Sequence, residues 1–432
     1  MWGGVSEAGI IGGMTTVLFL MPQAPYPARQ GTAIRNWGLV KGLAVRGHAI
    51  HVLCFGEAGG EIDPVLIATC ASVRVMDTPM RSQWARVRVL LTTTEADLAG
   101  RLASAAFEAA LAETLLAVRP DVVQVEGLEM ARYIGVVRRV WPAARVVYDA
   151  HNAEVLIQRR AWLTDIRTPQ RWLAAGYSAL QAGRLARFER ETLRAVDAVV
   201  AVSAEDAATL RALAGADVQL AVAANGLFLS EYAGVVGEVG MGPAGVVFTG
   251  KMDYRPNVDA VVWFCEAIWP RVRAVMPAAR FYIVGQSPTA AVRALGSRPG
   301  VVVTGAVADV KPYIAGAAVY VAPLRMGGGT RFKLLEAMAL GRAVVSTRVG
   351  AEGFAVMDGR EVRLADEAGE FAGAVVAVLR DDEQRAGLGA RGRAFVAAGY
   401  DWGQIVPVVE GVWQMTSGGQ GGEGSTTETL SH

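Results

Sequence analysis

The chain has 432 residues and a mass of 45.6 kDa, which at roughly 100–200 residues per domain favours two domains and allows three. Hydrophobic residues make up 52% and charged residues 19%, enough apolar content to bury a sizeable core and too much for a chain disordered throughout. With 42 Lys+Arg against 41 Asp+Glu, three scattered cysteines and four histidines, the pattern excludes a dedicated nucleic-acid binder, a disulfide framework, a Cys-x-x-Cys metal or redox site and a His-Glu-x-x-His zinc hydrolase.

Residues 1–13 are glycine-rich and read as a flexible leader, and no Lys or Arg precedes Arg29, so the start lacks the positive region of a secretory signal. No apolar run approaches the ~18 residues a membrane-crossing helix needs. The expectation is a cytoplasmic protein of a reducing compartment. Short Val-rich runs at 17–21, 49–55, 73–76, 122–125, 146–148, 198–202 and 219–222 predict strands. Longer amphipathic or Ala-rich stretches at 32–46, 95–118 and 130–140 predict helices between them. The second half repeats the alternation, with strands at 246–249, 280–284, 301–304, 319–322 and 343–346 and helices at 257–275, 310–315, 331–340 and 368–379.

Continuous apolar strands alternating with helices predict α/β architecture with doubly wound parallel sheets buried on both faces. Six glycines and Pro243 between residues 226 and 245 read as an interdomain linker. The expected organisation is an N-terminal Rossmann-like domain over 14–235 and a second over 236–401, facing each other across a cleft. A helix over 402–415 is expected to pack back on the first domain, followed by a disordered tail over 416–432. In such sheets ligands sit beyond the carboxyl ends of the strands.

The strongest motif there is PLRMGGGTRFKLLEAMALG at residues 323–341. It runs from a strand end through Gly327, Gly328, Gly329 and Thr330 into a helix. Open backbone N–H groups and a helix N-terminus suit a phosphate or diphosphate. Arg331 and Lys333 oppose the helix dipole, which makes sense if an anion lies there. Glu336, one turn on, can accept bonds from sugar hydroxyls. A flexible loop with a surface Lys-Glu pair is the bland alternative; the glycines, cations and acid together favour the ligand.

With these residues in place the chain resembles the GT-B glycosyltransferases, specifically family 4. Residues 22–31 resemble the family's acceptor loop, which singles out Gly31, and Arg46-Gly47-His48, after a helix, resembles its strand entry. Asp149-Ala150-His151-Asn152 resembles the strand end carrying its active-site histidine. Val202-Ser203, Asn225-Gly226 and the run GKMDYR at 250–255 follow in the family's order, and the resemblance spans roughly 15–415. One feature departs. The family often has two glutamates separated by seven residues; Glu336 matches the second, and Gly328 stands where the first would be.

The resemblance implies a retaining transferase that moves a sugar from a nucleotide-diphosphate sugar to a glycan or lipid-linked acceptor in polysaccharide or glycoconjugate synthesis, with no metal and no other cofactor. It assigns Lys251, Arg255, Gly327, Gly328, Gly329, Thr330 and Lys333 to the diphosphate, Glu336 to the ribose and His151 to catalysis. The chain contains no Asp-x-Asp, in keeping with a metal-independent site. Glu126, at another strand end, reads first as structural, with an acceptor contact as the alternative. A nucleotide-sugar 2-epimerase or a non-catalytic partner protein on the same fold are the competing expectations. Residues 159–194 carry eight arginines against Asp165, Glu189 and Glu191, with Trp162, Trp172 and Tyr177 interspersed. This pattern suits peripheral contact with the inner membrane face; a solvated helical face with aromatics in the core accounts for the same residues.

Overall fold

The computed structural model describes residues 13–28, 31–57, 59–80, 96–155, 172–215, 218–237, 240–326 and 331–414. The chain divides into two compact units, the first made of residues 1–24, 47–222 and 408–432, the second of 25–46 and 223–407.

The first unit is built on seven strands: β1 (Thr16–Met21), β2 (Ala49–Gly56), β3 (Ser72–Asp77), β4 (Val122–Glu126), β5 (Arg145–Ala150), β6 (Ala198–Ala201) and β7 (Leu220–Val222). They lie in the order β3-β2-β1-β4-β5-β6-β7, every neighbouring pair parallel. The second unit carries β8 (Gly245–Thr249), β9 (Arg280–Val284), β10 (Val301–Gly305), β11 (Val319–Ala322), β12 (Ala343–Ser346) and β13 (Arg363–Leu364), ordered β10-β9-β8-β11-β12-β13 and again parallel throughout. The predicted doubly wound α/β architecture is therefore present twice. Each sheet reverses its winding beside its first strand, at β1/β4 and at β8/β11, which is where such sheets open a crevice for ligands.

Helices α1 (Gly31–Val45), α2 (Ala105–Val118), α3 (Trp172–Ala195), α4 (Ala204–Ala214), α5 (Arg255–Trp263), α6 (Phe332–Ala339), α7 (Ala368–Arg380), α8 (Asp382–Gly399) and α9 (Trp402–Gln414) alternate with or follow these strands. The central strands are buried on both faces: all five residues of β8 are buried, and all five of β4, Gln124 and Glu126 included.

Several boundaries differ from the sequence expectation for local reasons. The long helix predicted over 95–118 is two, Asp97–Arg101 and α2, because Ser104 turns out of the first and caps the second, its hydroxyl accepting from the Phe107 N–H. The helix predicted over 257–275 loosens into a π-turn at Phe264–Ile268, just before Pro270, a residue with no N–H to give to a continuous ladder. Helix α8 lacks a clear apolar stripe because Gly389 and Gly392 lie on its buried face. There they allow close approach: a Cβ on Gly389 would stand 2.1 Å from the Gly341 carbonyl oxygen.

The glycine-rich stretch read as a linker is fastened to the second unit. Leu227, Tyr232 and Met241 are buried in its core. Leu227 donates to the Tyr400 carbonyl at 2.8 Å and accepts from the Trp402 N–H at 3.0 Å. Glycine composition there serves contact as well as turning: Gly237 meets the backbone of Gly316 so closely that a Cβ would come within 2.5 Å.

Two glycines of α1 receive side chains of α9 within the same unit. A Cβ on Gly38 would lie 2.0 Å from the buried Trp402 ring, and one on Gly42 would lie 2.5 Å from Val406. Overpacking of a filled core costs roughly 1–3 kcal/mol. Gly38→Ala is therefore expected to lower the thermal midpoint of the second unit, read by calorimetry, whereas Gly373→Ala, on α7 with nothing within 4 Å of its added Cβ, leaves it unchanged or raises it. The later part of α9, counted with the first unit, gives Glu410 to His48 Nε2 at 2.9 Å and the Trp413 indole N–H to Gln124 at 3.4 Å.

Candidate active site

In the second unit the chemistry collects beyond β8 and at the start of α6. Gly327, Gly328, Gly329 and Thr330 lie outside the described residues. Helix α6 begins after Arg331, which occupies its cap position. Arg331 is buried and bonds the Val349 carbonyl at 3.3 Å and Glu352 at 3.5 Å. It braces the segment after β12, and burial holds its guanidinium below its ordinary range.

Lys333, on the first turn of α6, is the centre of the group. Its Nζ donates to Asn257 Oδ1 at 2.6 Å and stands 4.3 Å from the centroid of the Phe248 ring. Asn257, itself buried at the start of α5, donates from Nδ2 to the Lys251 carbonyl at 2.9 Å. One side-chain amide thus ties the loop after β8 to the cation on α6. Gly250 leaves room for that tie, since a Cβ there would lie 2.7 Å from Asn257 Nδ2 and 3.0 Å from Lys333 Nζ. Burial pushes the Lys333 ammonium down to about 7, the Arg331 charge adds to the shift, and Glu336 opposes it. A cation lowered in this way at a helix N-terminus would regain its charge beside an anion.

Lys251 and Arg255 both expose their side chains, Lys251 with Asp253 at 3.3 Å and Arg255 as the first residue of α5. Glu336, one turn beyond Lys333, accepts a hydrogen bond from the Tyr232 hydroxyl at 3.2 Å. Burial raises its carboxyl above the usual range, while Tyr232, Lys311 and Lys333 pull it back. Gly31 opens α1, where an added Cβ would lie 3.9 Å from Phe332, the first residue of α6.

In the first unit, Glu126 ends β4 and pairs in register with Asp149 on β5. Side chains two apart in a strand share a face, so His151 follows Asp149 on the same side as Glu126. The His151 Nε2 lies 2.9 Å from Glu126 Oε2, with Glu126 fully buried. Gly127 turns the chain away at φ 81°, a left-handed conformation. A Cβ there would press on Glu129 at 3.1 Å and touch His151, whose Nδ1 would be 3.5 Å away. The backbone after His151 is clamped by two acids from neighbouring helices. Asp206 of α4 accepts from the Ala153 N–H at 2.8 Å, and Glu189 of α3 accepts from Glu154 and Val155 at 3.0 and 3.1 Å. Burial lifts the Glu189 carboxyl to about 7.

Glu126, Asp149 and His151 offer ligand-type atoms within 4.8 Å of one another, the one such group among the described residues. Nε2 and Oε2 already face each other at hydrogen-bond distance, so the cluster reads as a polar network.

The structure therefore brings together Lys251, Lys333 and Glu336 around one helix start, and sets His151 at the end of β5. Sequence reading missed Asn257, Tyr232 and the partnership of Glu126 with His151. Asn257 carried a weak signal, a polar residue in the first turn after a strand-end loop. Tyr232 carried none, since it stands 104 residues from the glutamate it bonds. Of the basic stretch over 159–194, residues up to 171 lie outside the described residues, as do the side chains of 172–180. In its remainder Leu185, Glu189, Thr192 and Leu193 are buried, and Arg187, Arg190 and Arg194 face solvent. No helix among the described residues is long and apolar enough to cross a membrane.

Comparison with known proteins places both units. Residues 30–226 match the model of the glycosyl transferase 4-like domain, and residues 243–381 match that of glycosyl transferases group 1. A stretch of 179 residues, 40% of this chain, is 33% identical to phosphatidyl-myo-inositol mannosyltransferase of Mycolicibacterium smegmatis and covers 45% of it. The chain spans less than half the length of the curated relatives it matches. Among solved structures, Anabaena HepE in complex with UDP aligns with a TM-score of 0.62 at 16% identity, over 92% of this chain and 98% of that one. Sucrose-phosphate synthase of Thermosynechococcus elongatus aligns with a TM-score of 0.65 at 18% identity, over the same shares. These likenesses show the GT-B fold; the first match draws most of its residues from the first unit, with 30–46 and 223–226 in the second, and the other match lies within the second unit.

Proposed function

We propose that this chain is a retaining glycosyltransferase that moves a sugar from a nucleotide-diphosphate sugar to a glycan or lipid-linked acceptor. The observation that carries the reading is the hydrogen-bonded tie from the Lys251 carbonyl through Asn257 to the Lys333 ammonium, with that cation brought down to about 7 at a helix N-terminus. Such a cation gains most from a ligand that brings negative charge. Support for the ligand class comes from HepE, whose structures contain UDP and UDP-glucose.

In this reading Lys333 and the N-terminus of α6 receive the diphosphate, with Lys251, Arg255 and the backbone of 327–330 contributing around it. As the bond from the sugar to the diphosphate breaks, negative charge grows on the leaving oxygen. Fixed donors aimed there stabilise it without moving a proton. Glu336, held by Tyr232, accepts from the ribose hydroxyls. Its carboxylate is the one acid kept from the family's pair, with Gly328 standing where the other would be. His151 bonds a hydroxyl of the transferred sugar.

The reaction is tested by incubating purified protein with single nucleotide sugars, first by thermal shift and then by release of nucleoside diphosphate with and without glycan or lipid-linked acceptors. Stabilisation by one donor and acceptor-dependent release support the proposal. Stabilisation by none, with no release, overturns it.

Proton linkage follows from Lys333. In the ligand-free fold its ammonium sits at about 7, below the 10.5 of an ordinary lysine. Between those values the unfolded chain holds a proton that the fold lacks, so this group makes the empty protein more stable as pH rises. A bound diphosphate reverses the preference, so binding takes up a proton in that window and affinity falls as pH rises through about 7. Calorimetry of a nucleotide sugar in two buffers of different ionisation enthalpy is expected to report uptake approaching one proton above pH 7, and none in Lys333→Met.

A further inference from the structure

We propose that Glu126 is a positioning residue for His151: it fixes the imidazole in the Nε2–H form and sets the plane of the ring at the end of β5. This rests on the reading of His151 as the residue that touches the transferred sugar.

The geometry is specific. Glu126 is fully buried at the last position of β4, and its Oε2 is 2.9 Å from His151 Nε2. A carboxylate can only accept, so the proton of this bond sits on Nε2. That choice makes Nδ1 an acceptor in the neutral ring. Register supplies the alignment. Glu126 lies beside Asp149 across the β4–β5 ladder, and the Gly127 N–H donates to the Asp149 carbonyl at 3.0 Å. The two strand ends therefore hold the carboxylate and the ring at a set separation. Glu189 and Asp206 clamp the backbone that follows. The loop is fixed by those acids and the ring by Glu126, so the two constraints are separable.

A neutral histidine chooses between two tautomers, and the choice decides whether Nδ1 accepts from a sugar hydroxyl or donates to it. A buried carboxylate removes that choice, as an orienting acid does for the imidazole of a catalytic triad. Glu126 acts through His151 and is not assigned a contact with substrate.

The test uses the full chain with 15N-labelled imidazoles. Only four histidines are present, so the His151 signals are assigned by their loss in His151→Ala. Long-range 1H–15N spectra distinguish the tautomers directly and need no turnover. The wild type is expected to show His151 as Nε2–H. Glu126→Leu is expected to lose that preference and to lower kcat about 10–100-fold with donor KM little changed. Glu126→Gln, whose amide oxygen can still accept from Nε2–H, is expected to keep the tautomer and recover much of the rate. A wild-type His151 protonated on Nδ1, or an unchanged tautomer and rate in Glu126→Leu, overturns the proposal. If Glu126→Leu does not fold, the wild-type and Glu126→Gln spectra decide it. Near-normal turnover in folded His151→Ala would instead overturn the catalytic reading of the histidine, while the spectra still judge the Glu126–His151 bond.

Discussion

His151→Ala is expected to lower turnover about 10²–10³-fold, the range seen when one fixed donor or acceptor at a reacting centre is removed, while nucleotide affinity stays near wild type. The separation follows from where the groups stand. His151 directly follows β5 of the first unit, and Lys251, Arg255 and Lys333 belong to the second. A residue that only braced its loop would give the opposite pattern, a lower melting temperature and near-normal turnover per folded molecule. The loop has its own braces in Asp206 and Glu189, so the backbone is expected to persist without the imidazole. Melting temperature, nucleotide affinity and turnover measured on one sample distinguish the two. Loss of the ring also leaves buried Glu126 without its 2.9 Å partner, so a modest drop in stability, within about 1–3 kcal/mol, accompanies the kinetic effect without replacing it.

Lys333→Met is expected to weaken nucleotide-diphosphate binding by about 10–100-fold. A charge-assisted hydrogen bond is worth about 1.5–3 kcal/mol, and 1.4 kcal/mol is tenfold in affinity. The ligand-free protein is expected to melt close to the wild type, because two changes oppose each other. Removing a poorly solvated cation relieves a desolvation cost, and Asn257 Oδ1 loses its 2.6 Å donor. Asn257→Ala is expected to weaken binding as well, by freeing both the Lys333 ammonium and the Lys251 carbonyl it now joins. Calorimetric titration with the donor found by thermal shift checks both variants. Unchanged affinity in Lys333→Met would remove the diphosphate from α6.

The sequence by itself determined what depends on local pattern. Apolar runs buried on both faces read as parallel strands, because helices on both sides leave no polar face to write. Most strands fell within a residue or two of their predicted bounds, and β13, two residues long and half-buried, was too short to leave a pattern. The start of α6, with Lys333 and Glu336 one turn apart, was legible because an amphipathic run follows a strand end there. Helix interruptions were harder, since Ser104 and Pro270 act through single hydrogen bonds that periodicity averages away.

Only the tertiary structure decided which side chains complete each group. Glu126 and His151 are 25 residues apart and meet because β4 and β5 pair in register. Asn257 reaches Lys333 across 76 residues, and Tyr232 reaches Glu336 across 104. Glycines of the supposed linker and of α1 carry contact with Gly316, Trp402 and Val406, which composition cannot distinguish from flexibility. A strand or a cap is set by neighbours in the chain; a buried partner is set by the sheet order and register that bring distant strand ends side by side, and its identity is written nowhere near the residue it serves.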